Sequence, residues 1–264
     1  MQEIQTHIAR RPKAAISLAS INVFHLRNPI VVSIWSLIYP GFGHMRLVSI
    51  AKGVFLFTGE LLINTQTHLN MAILYSFTGN YIMAKQVLDT RLLLLYCGIL
   101  VFAIWESYRI AIEINKFSVL ADHENDPLVP TVLSASGLNV FEKRNPWVAM
   151  AWSMLIPGAG HLYSLSIVIA VFMMIGGGVI IYLSHLLPAI SYTAIGQIAQ
   201  AKEVIDWQWL INFPSFYCFS IFDAYTKSVE INKIFDQEQA QFLRNNYQSP
   251  LFEMPCNRRE IECT

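Results

Sequence analysis

The chain repeats itself, and the repeat limits its fold more than any other feature. Asn22-Val-Phe-His-Leu-Arg-Asn-Pro29 returns as Asn139-Val-Phe-Glu-Lys-Arg-Asn-Pro146, Trp35-Ser36 as Trp152-Ser153, and Pro40-Gly-Phe-Gly-His44 as Pro157-Gly-Ala-Gly-His161. The offset is 117 residues each time, and it ends with Glu113-Ile-Asn-Lys116 matching Glu230-Ile-Asn-Lys233. About 37 of the 95 ungapped pairs are identical. Residues 22–116 and 139–233 therefore read as two copies of one folding unit. A period this long does not suit a solenoid and fits the duplicated halves of membrane proteins. Around the copies lie an arm, 1–21, a polar linker, 117–138, and a polar tail, 234–264.

Each copy is too apolar for a water-soluble domain. Apolar residues make up 54% of the chain and charged residues 14%, with a mean hydropathy of +0.43, where a soluble domain carries about 25% charged residues. The expected fold class is all-α, a polytopic membrane helical bundle of two tandem repeats. Its partners are then the lipid bilayer and other membrane proteins, with self-association open. Zero net charge gives no pull toward nucleic acid. The arm reads as cytoplasmic and amphipathic: Arg10, Arg11 and Lys13 precede a mixed stretch, and no small-residue cleavage site ends it. Cys97, Cys218, Cys256 and Cys263 form no CxxC pair, so neither a metal site nor a disulfide framework is expected.

Three apolar stretches recur in each copy. The first runs from Pro29 to Tyr39 and from Pro146 to Ile156, each proline suiting a first helical turn. About eleven residues span roughly 16 Å of helix, half a hydrocarbon core. The second covers Leu47 to Ile63, with Lys52 and Glu60 inside it, and Leu162 to Leu187, with no charge. The third covers Leu92 to about Ile112 and Trp209 to about Ile231, with Pro214 near its start. Positive charge collects in the arm, the linker with its flanks, and the tail, while the loops inside the copies hold only Lys85, Arg91 and Lys202. Lys and Arg concentrate on the cytoplasmic side, so both termini and the linker are expected there, in a plasma-membrane protein. That favours two full spans per copy, four in all, with each Pro-Gly element re-entrant. The alternative is six spans with an inverted second copy.

The Pro-Gly-x-Gly-His turn before an apolar helix resembles the TM2 family of small membrane proteins, in which a glycine turn, a histidine and an aromatic join two helices. Gly160-His161-Leu-Tyr163 follows that pattern; Gly43-His44-Met-Arg46 departs from it at the aromatic. Ile104-Trp-Glu106 and Ile221-Phe-Asp223 resemble the end of the family's second helix. The tandem arrangement is also similar to uncharacterised multi-pass proteins of Gram-positive, including spore-forming, bacteria. The resemblance covers about a third of each copy and implies architecture rather than activity.

Four side chains are the candidate functional residues: His44, His161, Glu106 and Asp223. Ionisable groups at membrane depth mark pathways by default. The structural alternative has each histidine bonding the free backbone of its glycine turn, and each acid pairing with the base on its own helix face, Glu106 with Arg109 and Asp223 with Lys227. Pro40, Gly41, Gly43, Pro157, Gly158 and Gly160 are expected to shape the turns. Glu113 with Lys116 and Glu230 with Lys233 read as solvated helix faces. His68, His185, Tyr75, Tyr192 and the pairs Lys85–Asp89 and Lys202–Asp206 read as a cap over the bundle, and Gly176-Gly-Gly178 as a point of close helix approach.

No nucleophile elbow, phosphate loop or HExxH is present, and no catalytic, cofactor-binding or metal-binding residue is assigned. The leading expectation is a non-enzymatic scaffold or modulator of other membrane components. A small-solute or ion channel with its site between the copies is the second, and an enzyme on a lipid-borne substrate the third. A dry seam at His44 and His161 favours the scaffold; a water-accessible one favours transport.

Overall fold

The computed structural model describes residues 14–16, 21–47, 49–124, 131–134, 137–140 and 142–249. Arg10, Arg11, Lys13, Pro127, Pro130, Cys256, Arg258, Arg259 and Cys263 lie outside them. Helices make up nearly all of the described structure. The first half holds α1 (Pro29–Ile38), α2 (Phe42–Arg46), α3 (Ile50–Thr67), α4 (Leu69–Phe77), α5 (Tyr81–Val87) and α6 (Thr90–Glu124). The second holds α7 (Pro146–Leu155), α8 (Ala159–Tyr163), α9 (Ile167–Leu183), α10 (Leu186–Ala194), α11 (Ile198–Val204), α12 (Trp207–Leu210) and α13 (Asn212–Tyr247). Most of these bounds recur at the 117-residue offset. The two halves part at the last helix, which runs unbroken as α6 but is split at Ile211. Pro214 explains the split, because it has no N–H to give the carbonyl four residues back.

Two short ladders precede the halves: β1 (Ala14–Ile16) with β2 (Ile21–Val23), and β3 (Thr131–Ser134) with β4 (Gly137–Val140). Ala14 faces Val23 in the first and Thr131 faces Val140 in the second. The registers differ by the same 117 residues. Strand pairing thus occupies parts of the arm and linker that read as amphipathic and turn-rich. The linker's first residues are also helical, since α6 continues to Glu124.

The matched sequence ends hold each half closed. Asn115, near the end of the first copy, accepts from the Arg27 amide at 2.8 Å and donates to the Arg27 carbonyl at 2.8 Å. Asn232 does the same for Arg144, at 2.8 and 2.7 Å. This two-way clamp ties the start of α1 to α6 and the start of α7 to α13. Each short helix also has its own cap: Asn28 Oδ1 accepts from the Ile30 amide and Asn145 Oδ1 from Trp147.

One hydrophobic core crosses from half to half. Tyr39, Phe42, Met45 and Phe57 pack with Ile169, Met173, Ile180, Phe216 and Phe219. The Phe42 and Phe219 rings lie 4.1 Å apart and 4° from parallel. Gly176 and Gly177 of α9 present bare backbone to the Phe216 ring, where an added Cβ at Gly176 would sit 3.0 Å from the ring. Among the described residues α6 alone is long and apolar enough to cross a membrane, and α9 with α10, bent by 60° at their break, would together make a second such span. Only 22% of the apolar window of α6 is buried inside the molecule.

Candidate functional site

The Pro-Gly turns bring the candidate residues together. Gly41 and Gly158 sit at φ of +105° and +96°, a region closed to most side chains. A Cβ at Gly41 would also strike the Gly53 carbonyl, and one at Gly158 the Ala170 carbonyl. The reversal delivers α2 and α8 into the bundle, and with them His44 and His161. Both rings are fully excluded from solvent.

His44 and Glu106, and likewise His161 and Asp223, form one site per half rather than separate features. His44 Nε2 lies 3.2 Å from Glu106 Oε2, and His161 Nε2 lies 3.1 Å from Asp223 Oδ2. The partner is thus a carboxylate on the long last helix and not the turn backbone. The turn amides are met elsewhere: in the second half Gly158 donates to Ser220 Oγ at 2.9 Å and Gly160 to Ser153 Oγ at 3.2 Å. An ionised carboxylate can only accept, so Nε2 carries the hydrogen. Nδ1 of each ring is buried without a hydrogen-bond partner among the described residues. Each ring is thus held as a donor to its acid through Nε2.

The acids find different second partners from those their helix spacing suggests. Lys52 Nζ approaches Glu106 Oε1 at 2.8 Å, while Arg109 stands off at 3.9 Å and pairs with Glu113 at 2.8 Å. Asp223 meets Arg46, whose Nε lies 3.5 Å from Oδ1, so the cation in contact with it comes from the other half, with Lys227 acting on it from farther off. Arg46 stands where the second copy has Tyr163. Its guanidinium also lies 4.7 Å above the Phe222 ring.

Glu230 corrects a second expectation. Its side chain is 14% exposed and faces the seam rather than solvent. Arg27 Nη2 reaches it at 3.1 Å, Arg46 Nη2 at 3.4 Å and His25 Nε2 at 3.2 Å. Burial lowers the Arg27 pKa from its ordinary value, and the charge of Glu230 opposes that. Glu113, the equivalent residue in the first half, is exposed, as expected.

A polar knot at another level of the seam involves residues the sequence did not single out. Asn70 Nδ2 donates to the Gln208 carbonyl at 2.8 Å, Gln208 Nε2 to Asn64 Oδ1 at 3.0 Å, and Asn64 Nδ2 to Glu60 Oε1 at 3.0 Å. Glu60 is 2% exposed. The equivalent positions hold Gly177, Ile181, Leu187 and Arg91, so comparing the copies could have flagged the group by its mismatch alone. In the region read as a cap, His68 and His185 take φ of 51° and 54° and turn α3 into α4 and α9 into α10. Asp89 and Asp206 accept from the amides of Arg91 and Gln208 at 2.9 Å each, capping the next helix rather than pairing with Lys85 and Lys202. Comparison with family models, curated proteins and solved structures finds no match for this chain.

Proposed function

We propose that the chain is a multi-pass membrane protein of two tandem, TM2-like units that acts, without catalysis, as a scaffold or modulator of other membrane components. Membrane embedding is supported by apolar side chains turned outward on several helices. Leu94 is 78% exposed, Val101 66%, Leu155 72% and Ile175 63%. Apolar surface on this scale is favourable in lipid and costly in water. Each of α1 and α7 has ten residues, about 15 Å of helix against a core of about 30 Å. They serve as re-entrant elements in this reading. Two crossings per copy follow, and the arm, linker and tail face the cytoplasm across a plasma membrane.

The observation that carries the scaffold reading is the packing at the two histidines. Each is sealed from solvent and held by an acid of its own half, and aromatic rings fill the core between the halves. A proton or ion route would need titratable groups that water can reach. Reconstitution into vesicles loaded with a pH-sensitive dye tests the choice. The reading predicts proton entry no faster than in empty vesicles, and a retained set of co-purifying membrane proteins in the His44→Asn, His161→Asn double variant. Proton entry that the double variant abolishes would establish transport instead.

A further inference from the structure

Besides the aromatic core and the amide knot, the halves meet at the level of Arg27, Arg46 and Glu230, and there the seam is not filled. A cleft of about 260 Å³ opens between the start of α1 and the middle of α13. His25, Arg27, Arg46, Glu230 and Lys233 line it on the polar side. Three of these are fixed cations and one is an acid. Asp223 faces Arg46 from behind, and Lys227 lies close enough to be felt electrostatically by Asp223, Arg27 and Glu230. Counting both leaves the positive excess unchanged.

The two arginines are nearly buried, with side chains 9% and 7% exposed. A buried guanidinium normally spends all its N–H groups. Here Nε of Arg27 and Nη1 of Arg46 have no hydrogen-bond partner among the described residues, while Nε of Arg46 is taken up by its ion pair with Asp223. Glu230 already takes contacts from Arg27, Arg46 and His25, which leaves it room for about one more donor. The start of α1 also borders the cleft, and a helix start carries partial positive charge. Excess positive charge and two guanidinium groups with unspent donors border the empty space, and an anion entering it would engage those donors as the side chains turn toward it.

We propose that this cleft binds a phosphate group, through Arg27 and Arg46 with Lys233 at the rim. The chemistry is common to a phospholipid headgroup and to a soluble phosphate compound. The site belongs to one seam only, because Arg46 is replaced by Tyr163 in the second copy and His25 by Glu142. Arg144 there turns to its neighbour Glu142 at 3.1 Å. The duplicated units have thus diverged where the cleft lies. The site does not depend on the scaffold reading and holds equally for a transporter.

The full chain, purified and delipidated in a neutral detergent, allows a direct test by thermal unfolding. Two probes are titrated at constant ionic strength: short-chain phosphatidylglycerol, with short-chain diacylglycerol as its phosphate-free control, and inorganic phosphate, with chloride as its control. The wild type is expected to be stabilised by one or both probes over its control. Lys233→Gln, an exposed change, should weaken the apparent affinity about tenfold, as loss of one charge-assisted contact implies. Arg46→Tyr, which installs the other copy's residue, should abolish the response. A response to phosphatidylglycerol alone assigns the site to lipid, and a response to inorganic phosphate assigns it to phosphate irrespective of an acyl chain. No response to either probe, or equal responses in wild type and Lys233→Gln, overturns the proposal even if Arg46→Tyr does not fold.

Discussion

Removing one member of a buried ion pair leaves the other charged and poorly solvated, a cost of about 3–5 kcal/mol. Asp223 is 4% exposed and serves both His161 and Arg46. Glu106 is nearly as buried, but its main cation, Lys52, has a side chain 58% exposed and can return to water. Asp223→Asn should therefore lower the unfolding midpoint in detergent by about 5 °C or more, from the usual relation of energy to midpoint, and Glu106→Gln by clearly less. Equal shifts in a fluorescence-monitored melt would contradict the difference drawn between the two halves. The candidates themselves could be read from the sequence, because an ionisable residue in an apolar run stands out. Their pairing could not. His44 and Glu106 are 62 residues apart, as are His161 and Asp223, and short-range helix spacing favoured Arg109 and Lys227 instead. Glu230 was misread for the same reason: its surroundings are set by Arg27 and Arg46, which come from the other half.

At the scale of elements, the Pro-Gly turns are the points where one substitution should do most damage. Gly158→Val combines a forbidden φ with a collision against Ala170, so folded yield should fall sharply. Gly79 has a positive φ of 79° but nothing within 4 Å of an added Cβ. Gly79→Ala should then cost only about 1 kcal/mol, in line with the intrinsic preference for glycine. Size-exclusion profiles of the two variants after detergent extraction check the contrast, and similar losses would show that collision plays no part. The helix starts at Pro29 and Pro146 and the turns after Tyr39 and Ile156 were legible, since proline and glycine act through local geometry. The ladders at Ala14–Ile16 and Thr131–Ser134 were not, because three or four residues carry too little alternation to read. The continuation of α6 to Glu124 was hidden by polar residues that look like linker chemistry. The amide knot shows in the sequence only as a mismatch between the copies, Asn64 against Ile181 and Gln208 against Arg91, because Asn and Gln have no positional signature. Its prediction is a coupling: Asn64→Ala and Gln208→Ala should lose less together than the sum of their separate losses, by about 1 kcal/mol in a double-mutant cycle. Strict additivity would mean that the knot does not join the halves.

At the scale of the whole molecule, the account rests on two crossings per copy with all the basic segments on one side. The recurrence of residues at a 117-residue offset was plain in the sequence, because matching residues needs no structural knowledge. The seam was not, because the copies differ there: Arg46 against Tyr163, Asn64 against Ile181, Glu60 against Gly177. Divergence of that kind makes an interface asymmetric, and it can be interpreted only once the halves are seen in contact. The number of crossings is the claim on which the rest depends, since it decides whether α1 and α7 are re-entrant and which side the phosphate cleft faces. Single cysteines at Glu142, Asn246 and Gln200, all exposed positions, can be placed in a background lacking the four natural ones. Intact cells are then treated with an impermeant thiol reagent. The account predicts labelling of Gln200→Cys from outside, and labelling of Glu142→Cys and Asn246→Cys only after the cells are opened. Labelling of Glu142→Cys in intact cells would place the linker outside, require an odd number of crossings per copy, and contradict the account.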